Sequence, residues 1–353
     1  MTLELLLYGL IAFGLSLVAT PLLKRFLVTK KIGLAVPRSR DTHQNALPRL
    51  GGLVVFFSFA LVILGALVFN PESLKFVEQR VLIFDLNLLG VLLGALILVL
   101  VGVYDDVRDL NPLSKLLWQI AAAFLVVAFG VKIFWVTNPF GGIITLGNWT
   151  YLIVPLWLLL MINVMNWFDG LDGLAGGLSV IASIAIIFLA LDPVVDQPAT
   201  AMLAAILAGS VLGFLPYNWN PAKIFLGDTG SMFLGFMMGV FAIISGAKFA
   251  TALLVLGIPV LDAIWVIARR ALAGQSIMKA DKKHLHHRFL EAGFSVRQTV
   301  IILYALAGAF GLVALATGTR GKIISIGVLV VVMVIMGSML VLKARSRHQK
   351  ETS

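Results

Sequence analysis

The sequence contains no cysteine, and Asp, Glu, Lys and Arg together make up only 12% of its 353 residues. The absence of cysteine excludes disulfide bonds and thiolate metal sites. Low-complexity and Ser/Pro-rich tracts are also absent, so no linker divides the chain. What remains is apolar, because 60% of the residues are hydrophobic and the mean hydropathy is +1.02. No soluble core buries that much apolar surface, and the chain belongs in a lipid bilayer.

The apolar residues form long runs separated by polar breaks. A helix needs about 20 largely apolar residues to cross a bilayer, and eleven runs approach that length. They lie near residues 3–22, 50–69, 86–104, 116–134, 151–167, 177–192, 200–217, 231–247, 249–268, 299–317 and 323–342. We expect an all-α integral membrane protein of about eleven transmembrane helices, forming one polytopic domain over residues 1–353. The first run has no basic leader and no cleavage site, so it is expected to be retained.

Basic residues are unevenly divided between the breaks. With eleven spans, 21 of the 27 lysines and arginines fall on one side of the membrane, and cytoplasmic loops carry such an excess. The sequence therefore predicts an N-terminus outside and a cytosolic C-terminus. The chain has a net charge of +10, and basic residues concentrated on one membrane face are typical of contact with anionic headgroups. We expect the lipid bilayer as a partner and no nucleic acid.

Acidic residues gather at the cytosolic ends of the predicted spans. A single acid at such a position is commonly a solvated helix end. Asp105 and Asp106 differ, because two adjacent carboxylates repel each other and a helix C-terminus does not favour them. They need a cation, which Lys115, Arg108 or a bound divalent ion could supply.

A polar series ends the fifth apolar run. Asn163, Asn166, Asp169 and Asp172 are spaced by three and are interleaved with glycines. Close helix packing explains the glycines but not the four polar side chains. On an unbroken helix a step of three drifts by about 60° each time, so the first and last of them would face opposite directions. We expect the helix to break near Gly170 and to line a site for metal or phosphate.

Two more polar positions accompany apolar runs. The motif "GDTGS" places Asp228 at the start of a span. Either Asp228 or Thr229 would cap that helix, or its N-terminal amides would point at a bound anion. Asp262 lies inside the ninth run, where it would pack against a polar partner or line a lipid groove.

The longest cytosolic break contains "HLHHR", residues 284–288, after Lys282 and Lys283. This basic segment predicts a headgroup-binding surface or one half of a phosphate site. Zinc is disfavoured, because positions 284 and 286 do not share a helical face. We expect a short amphipathic helix here that ends at Gly293.

An outer break has a different pattern. The segment "TNPFGGIITLGNWT" alternates apolar residues between Gly-Gly and Gly-Asn turn signals. This pattern predicts a small β-hairpin at the outer surface.

These motifs, in this order, resemble those of the polyprenyl-phosphate N-acetylhexosamine-1-phosphate transferase family. The matching stretches are "PRLGG" (48–52), "DD" (105–106), "NxxNxxDGxDG" (163–173), "GDTGS" (227–231) and "HLHHR" (284–288). The resemblance covers roughly residues 20–310. It implies transfer of a sugar 1-phosphate from a UDP-sugar to undecaprenyl phosphate, with release of UMP and with Mg²⁺ or Mn²⁺ as cofactor. It also implies a bacterial inner-membrane enzyme with a cytosolic active site, and a homodimer is left open.

The resemblance assigns roles to the carboxylates. We expect Asp228 to hold the metal, with Asp106 or Asp172 beside it. Asp105 would position the lipid phosphate or accept a residual proton, and Lys115 would offset phosphate charge.

The remaining motif residues are expected to bind substrate. The nucleotide and metal would be held by Asn163, Asn166, Asp169 and Asp172. The sugar and phosphates would face His284, His286, His287 and Arg288. In the first cytosolic loop, relatives commonly have a lysine before the histidine, whereas this chain has "RDTH" ending at His43. Arg38 or Arg40 would take over that basic contact.

The histidine segment also favours one branch of the family. The muramoyl-pentapeptide branch, which makes lipid I, usually has three consecutive histidines. "DKKHLHHR" is instead similar to the branch that begins O-antigen, enterobacterial common antigen or teichoic acid from UDP-N-acetylglucosamine. Lipid I synthesis is kept as the alternative. A transporter of lipid-linked anions is a weaker one, because it would need polar groups near the membrane midplane.

Overall fold

The computed structural model describes residues 2–35, 46–77, 79–138, 140–246, 249–274 and 284–352. It is mostly helical and divides into two compact units, Met1–Phe249 and Ala250–Ser353. The predicted all-α membrane class is confirmed. The single-domain organisation stays a prediction.

In the described residues of the first unit there are eight long helices. They are α1 (Thr2–Lys30), α2 (Gly51–Phe69), α3 (Leu86–Arg108), α4 (Pro112–Ala128), α5 (Thr150–Phe168), α6 (Leu174–Ala190), α7 (Pro198–Asn218) and α8 (Gly227–Ile244). Helix α8 packs against α2, α3, α5 and α6 and is buried over most of its length. It therefore forms the centre of this unit.

Local sequence signals explain several helix starts. Asp85 caps α3 by accepting hydrogen bonds from the N–H groups of Asn87 and Leu88. Asn111 caps α4, and Pro112 occupies its first position, where no N–H is needed. These two caps set where α3 begins and where the chain turns back after it.

The described loops of this unit contain three short antiparallel ladders. They pair β1 (Leu34–Ala35) with β2 (Leu47–Pro48), β3 (Arg80–Val81) with β4 (Phe84–Asp85), and β5 (Trp135–Thr137) with β6 (Ile143–Thr145). The β5–β6 ladder confirms the predicted outer hairpin as a structural element. Its register pairs Trp135 with Thr145 and Thr137 with Ile143.

The second unit begins with α9, whose first residue lies at the boundary between the units. Its helices are α9 (Phe249–Val255), α10 (Gly257–Leu272), α11 (Leu285–Glu291), α12 (Val296–Ala316) and α13 (Thr319–Thr352). A capping box of Ser295 and Gln298 begins α12. Helix α11 and Gly293, with φ of +92°, confirm the predicted short helix and its glycine end.

Every predicted apolar run coincides with a helix or with the α9–α10 pair, but not all are long enough to span by themselves. In the described parts of the chain, eight helices have the length and apolarity of a span. The pair α9 and α10, bent by 85°, adds at most one more, and α4 and α6 are apolar but shorter. The chain is thus a multi-pass membrane protein, and the count of eleven and the orientation stay predictions.

Candidate active site

Four helix ends of the first unit meet around Asp228, at the start of α8. The ammonium of Lys115, near the start of α4, bonds the carboxylates of both Asp105 (3.0 Å) and Asp228. Asn166, near the end of α5, donates to Asp228 Oδ1 at 2.9 Å and to Ser231 Oγ at 2.9 Å. The structure therefore brings Asp105, Lys115, Asn166 and Asp228 together, as the motif analysis predicted.

Asp106 caps α8 from outside that helix. Its carboxylate accepts from the N–H groups of Asp228 and Thr229, both at 3.0 Å, and from the Thr229 hydroxyl at 2.6 Å. The expectation that Asp228 or Thr229 caps this helix is wrong, because α3 supplies the capping carboxylate. Asp106 compensates the positive end of the α8 dipole. The first amides of α8 therefore already bind a carboxylate of the protein, in the place where the sequence predicted a bound anion.

Glycines allow the backbones to approach at this point. A Cβ atom on Gly52 of α2 would overlap the backbone of Gly230, and one on Gly102 of α3 would overlap that of Thr229. Gly227 has φ of +75°, a left-handed conformation that glycine adopts readily. The start of α8 is therefore held by main-chain contacts with α2 and α3.

The helix break predicted near Gly170 is confirmed. Helix α5 ends at Phe168 and α6 begins at Leu174, after Gly173 in a left-handed conformation with φ of +81°. Asp172, within the break, accepts from Asn220 Nδ2 (2.8 Å) and from the Ala222 N–H (3.0 Å). These bonds tie the break to the loop after α7, a role that the motif analysis did not predict.

Asp169 lies in the same break, close to other acids. Burial raises the pKa of its carboxyl well above the ordinary value, and the negative charges of Asp228, Asp106 and Asp172 raise it further. Neighbouring negative charges favour the protonated form of a carboxyl. This part of the site holds more negative charge than Lys115 offsets.

Asn163 points away from the carboxylates, into the helix bundle. Its amide donates to Gln119 Oε1 at 2.8 Å, and Gln119 Nε2 contacts Met232 Sδ at 3.4 Å. Gln119 is fully buried, and sequence reasoning missed it. A lone glutamine inside the apolar run 116–134 was the available signal, since buried polar groups need partners.

The second unit contains the histidine segment. His284 Nδ1 lies 2.7 Å from Asp262 Oδ2, and the Leu285 N–H donates to Asp262 Oδ1 at 2.9 Å. Asp262 thus has the predicted polar partner. With Arg288 it also lines an apolar cavity of about 580 Å³, and a role of this cavity as a lipid groove stays a prediction.

The three histidines differ in environment. The ring of His286 stacks on His284 and contacts His287. Burial lowers the pKa of His286 well below its ordinary value, and its two histidine neighbours lower it further. The neutral form of the His286 ring is therefore favoured.

Some predicted contacts fall elsewhere. Five predicted contact residues lie outside the described residues: His43, Arg38, Arg40, Lys282 and Lys283.

The guanidinium of Arg108 lies over the Tyr104 ring, 5.8 Å from its centroid, while Lys115 provides the cation for Asp105. Of the two basic side chains considered for the acidic pair, the structure thus selects Lys115.

Comparisons with known proteins place this site in a family. The model of glycosyl transferase family 4 matches residues 88–246, the segment that supplies the carboxylates around Lys115 and in the helix break. The chain is 32% identical to a probable undecaprenyl-phosphate N-acetylglucosaminyl 1-phosphate transferase of Bacillus subtilis, over 91% of this chain and 87% of the relative. It belongs to glycosyl transferase family 4, as a polyprenyl-phosphate N-acetylhexosamine-1-phosphate transferase.

Other relatives represent two kinds of transferase. A decaprenyl-phosphate N-acetylglucosaminephosphotransferase of Mycobacterium tuberculosis is 36% identical, over 87% of this chain and 81% of the relative. A phospho-N-acetylmuramoyl-pentapeptide-transferase of Staphylococcus aureus is 28% identical, over 89% of this chain and 99% of the relative. The chain is more similar to the first kind.

Proposed function

We propose that this protein transfers N-acetylglucosamine 1-phosphate from UDP-N-acetylglucosamine to undecaprenyl phosphate and releases UMP. This reaction would be the first membrane step of a cell-envelope polysaccharide. The observation that carries the proposal is the identity of 32–36% to N-acetylglucosamine phosphotransferases, against 28% to the muramoyl-pentapeptide enzyme. The site would lie at the cytosolic face of a bacterial inner membrane, in accord with the distribution of lysine and arginine.

The proposed chemistry is a direct displacement. An oxygen of the lipid phosphate bonds to the β-phosphorus of the UDP-sugar, and the bond from that phosphorus to the UMP oxygen breaks. A phosphate monoester has a second pKa of about 6, so the nucleophile is largely ionised at neutral pH. The protein therefore needs to align two phosphates and offset their charge, and a strong base is not required.

Lys115 is suited to offset that charge. It lies between Asp105 and Asp228, and its side chain is largely buried, where an ammonium interacts strongly with phosphate. Asp105 holds Lys115 from the other side and also accepts from the Leu110 N–H. We assign Lys115 to phosphate binding and Asp105 to positioning it and the lipid phosphate.

The donor atoms of the site fit Mg²⁺ or Mn²⁺. Within the described residues no three His, Asp or Glu side chains form a ligand cluster, but the site combines carboxylate and amide oxygens, which hard cations prefer. Asp228 would hold the ion, with Asn166 and Asp105 contributing nearby oxygens, because Asp106 and Asp172 are engaged in backbone hydrogen bonds. A bound ion would act as a Lewis acid on the diphosphate.

A donor panel tests the proposal. Purified protein in bilayers with undecaprenyl phosphate is offered UDP-N-acetylglucosamine, UDP-N-acetylgalactosamine or UDP-muramoyl-pentapeptide, with and without EDTA, and UMP is measured. We expect UMP from UDP-N-acetylglucosamine alone, abolished by EDTA. Lipid I formation would reassign the branch, and absence of UMP with every donor would leave room for the transporter hypothesis.

A further inference from the structure

We propose that the β5–β6 hairpin is a membrane-interface anchor that inserts its tip into the lipid leaflet opposite the active site. This inference does not depend on the transfer reaction. The hairpin connects the ends of α4 and α5 that lie away from Lys115 and Asn166. The 17 residues of α4 rise about 25 Å, which separates the hairpin from the carboxylates by most of a membrane thickness.

The hairpin is apolar on both of its faces. Trp135 and Ile144 are about half exposed, and Phe134 and Ile143 are more exposed. Phe140, at the tip, is 90% exposed. A two-stranded hairpin is only marginally stable in water, and one that buries so little of its apolar surface in the protein needs another apolar medium.

The lack of charged residues in the hairpin favours lipid over a protein partner as the apolar medium that covers it. No charged residue lies between Lys132 and Asp169, so the hairpin offers no ionic group for a partner protein to recognise. The hairpin contains Trp135 and is followed by Trp149 and Tyr151, and Trp and Tyr are the residue types that concentrate at membrane interfaces. Lys132 Nζ, at its base, binds the Tyr151 hydroxyl at 3.0 Å and lies over that ring. A lysine paired in this way is suited to the headgroup level.

The exposed surface of the hairpin continues the lipid-facing surface of the adjacent helices. Phe124 of α4 and Leu152 and Leu156 of α5 are about half exposed, as expected for side chains that contact lipid. Apolar side chains are thus exposed both on these helices and on the hairpin, on either side of the Lys132–Tyr151 pair.

The hydrogen-bonding needs of the hairpin backbone limit how deeply the hairpin can enter the membrane. The tip is closed by the Asn138 N–H to the Gly142 carbonyl, and Asn138 Oδ1 accepts from the Phe140 N–H, both at 3.0 Å. Within the described residues, however, the ladder has two strands, and their outer edges need water or headgroups. Open strand edges do not occur in hydrocarbon facing lipid. The hairpin therefore belongs at the boundary between headgroups and acyl chains.

The cysteine-free sequence allows a direct test. Phe140→Cys and Val194→Cys are each labelled with a nitroxide and reconstituted in phosphatidylethanolamine/phosphatidylglycerol bilayers. Val194 is a matched control, because it is 92% exposed and lies in the turn after α6, but between Asp192 and Asp196. Collision with oxygen, which partitions into lipid, is compared with collision with a water-soluble nickel chelate.

We expect the label at position 140 to collide at least threefold more with oxygen, relative to nickel, than the label at position 194. Adding Ile143→Asp should move the position-140 label into water. Equal nickel access at both positions would overturn the proposal. Protection of position 140 from both reagents would also overturn it, because a protein partner or second copy would then cover the tip. UMP release by the labelled proteins reports separately on the proposed function.

Discussion

Each unit of the protein has a carboxylate that joins distant segments, but the hydrogen bonds and charges around the two carboxylates differ. Asp262 in the second unit has one partner for each oxygen, His284 and the Leu285 N–H. Asp228 in the first unit shares Lys115 with Asp105 and lies close to Asp106 and Asp169. The hydrogen bonds of Asp262 are balanced, whereas the surroundings of Asp228 have an excess of negative charge.

This difference separates a structural role from a functional one. A carboxylate whose bonds are all made within the protein stabilises the fold. A group of carboxylates with too few cations is unfavourable by itself and indicates that another positive ligand completes it. Substitutions should therefore affect activity in the first unit and stability in the second.

The largest expected effect is the loss of activity in Asp228→Asn. The substitution keeps the size of the side chain and the hydrogen bonding of one oxygen, but it removes the charge that would hold a divalent ion. We expect UMP release to fall by about 10²- to 10³-fold, with the protein still folded as judged by circular dichroism. Near-normal turnover at low Mg²⁺ would show that Asp228 does not hold the metal.

Lys115 should compete with the metal. Its ammonium occupies the Asp228 carboxylate, so Lys115→Met should increase the affinity for Mn²⁺ by about tenfold, roughly 1.4 kcal/mol, while lowering UMP release. Electron paramagnetic resonance of free Mn²⁺ measures the affinity without substrate. Lys132→Met is the control, because Lys132 contacts Tyr151 at the far end of α4. An unchanged affinity in Lys115→Met would show that Asp228 is not a ligand.

Asp262 should matter for stability. Asp262→Ala leaves the Leu285 N–H and His284 Nδ1 without this acceptor, which costs about 1–3 kcal/mol for a buried group. Asp262→Asn keeps an acceptor for Leu285 and should cost less. Thermal unfolding in detergent compares the two variants. Equal melting temperatures for Asp262→Ala and the wild type would contradict the structural role.

The smallest effect is expected at Asp169. Since the pKa of Asp169 is raised in the folded protein, its contribution to stability is complete below the unfolded pKa and is lost as pH rises through the folded pKa. Asp169→Asn removes this loss, so it should raise the melting temperature in EDTA by about 2 °C at pH 8 and by less at pH 5. A gain independent of pH would show that charge repulsion is not the cause.

The sequence predicts much of this site because the acids and the broken helix leave local signals, and it predicts the hairpin for the same reason. Gly170 interrupts a polar series, and the Gly-Gly pair marks the hairpin turn. It did not find that Asp106 caps α8 or that Asp172 binds the loop at Asn220, since these partners are far apart in the chain. Gln119 was missed for a related reason: its partner, Asn163, is on another helix and was assigned to substrate.

The glycines at the start of α8 have a consequence for the tolerance of the chain to substitution. Gly52 and Gly102 have no part in the chemistry, yet any side chain there would push Thr229 and Gly230 away from α2 and α3. The carboxylate of Asp228 would move with them, and reaction rates are sensitive to displacements of about 1 Å. A saturation mutagenesis map scored by activity would therefore show these two glycines to be as intolerant as the aspartates, although neither touches a substrate.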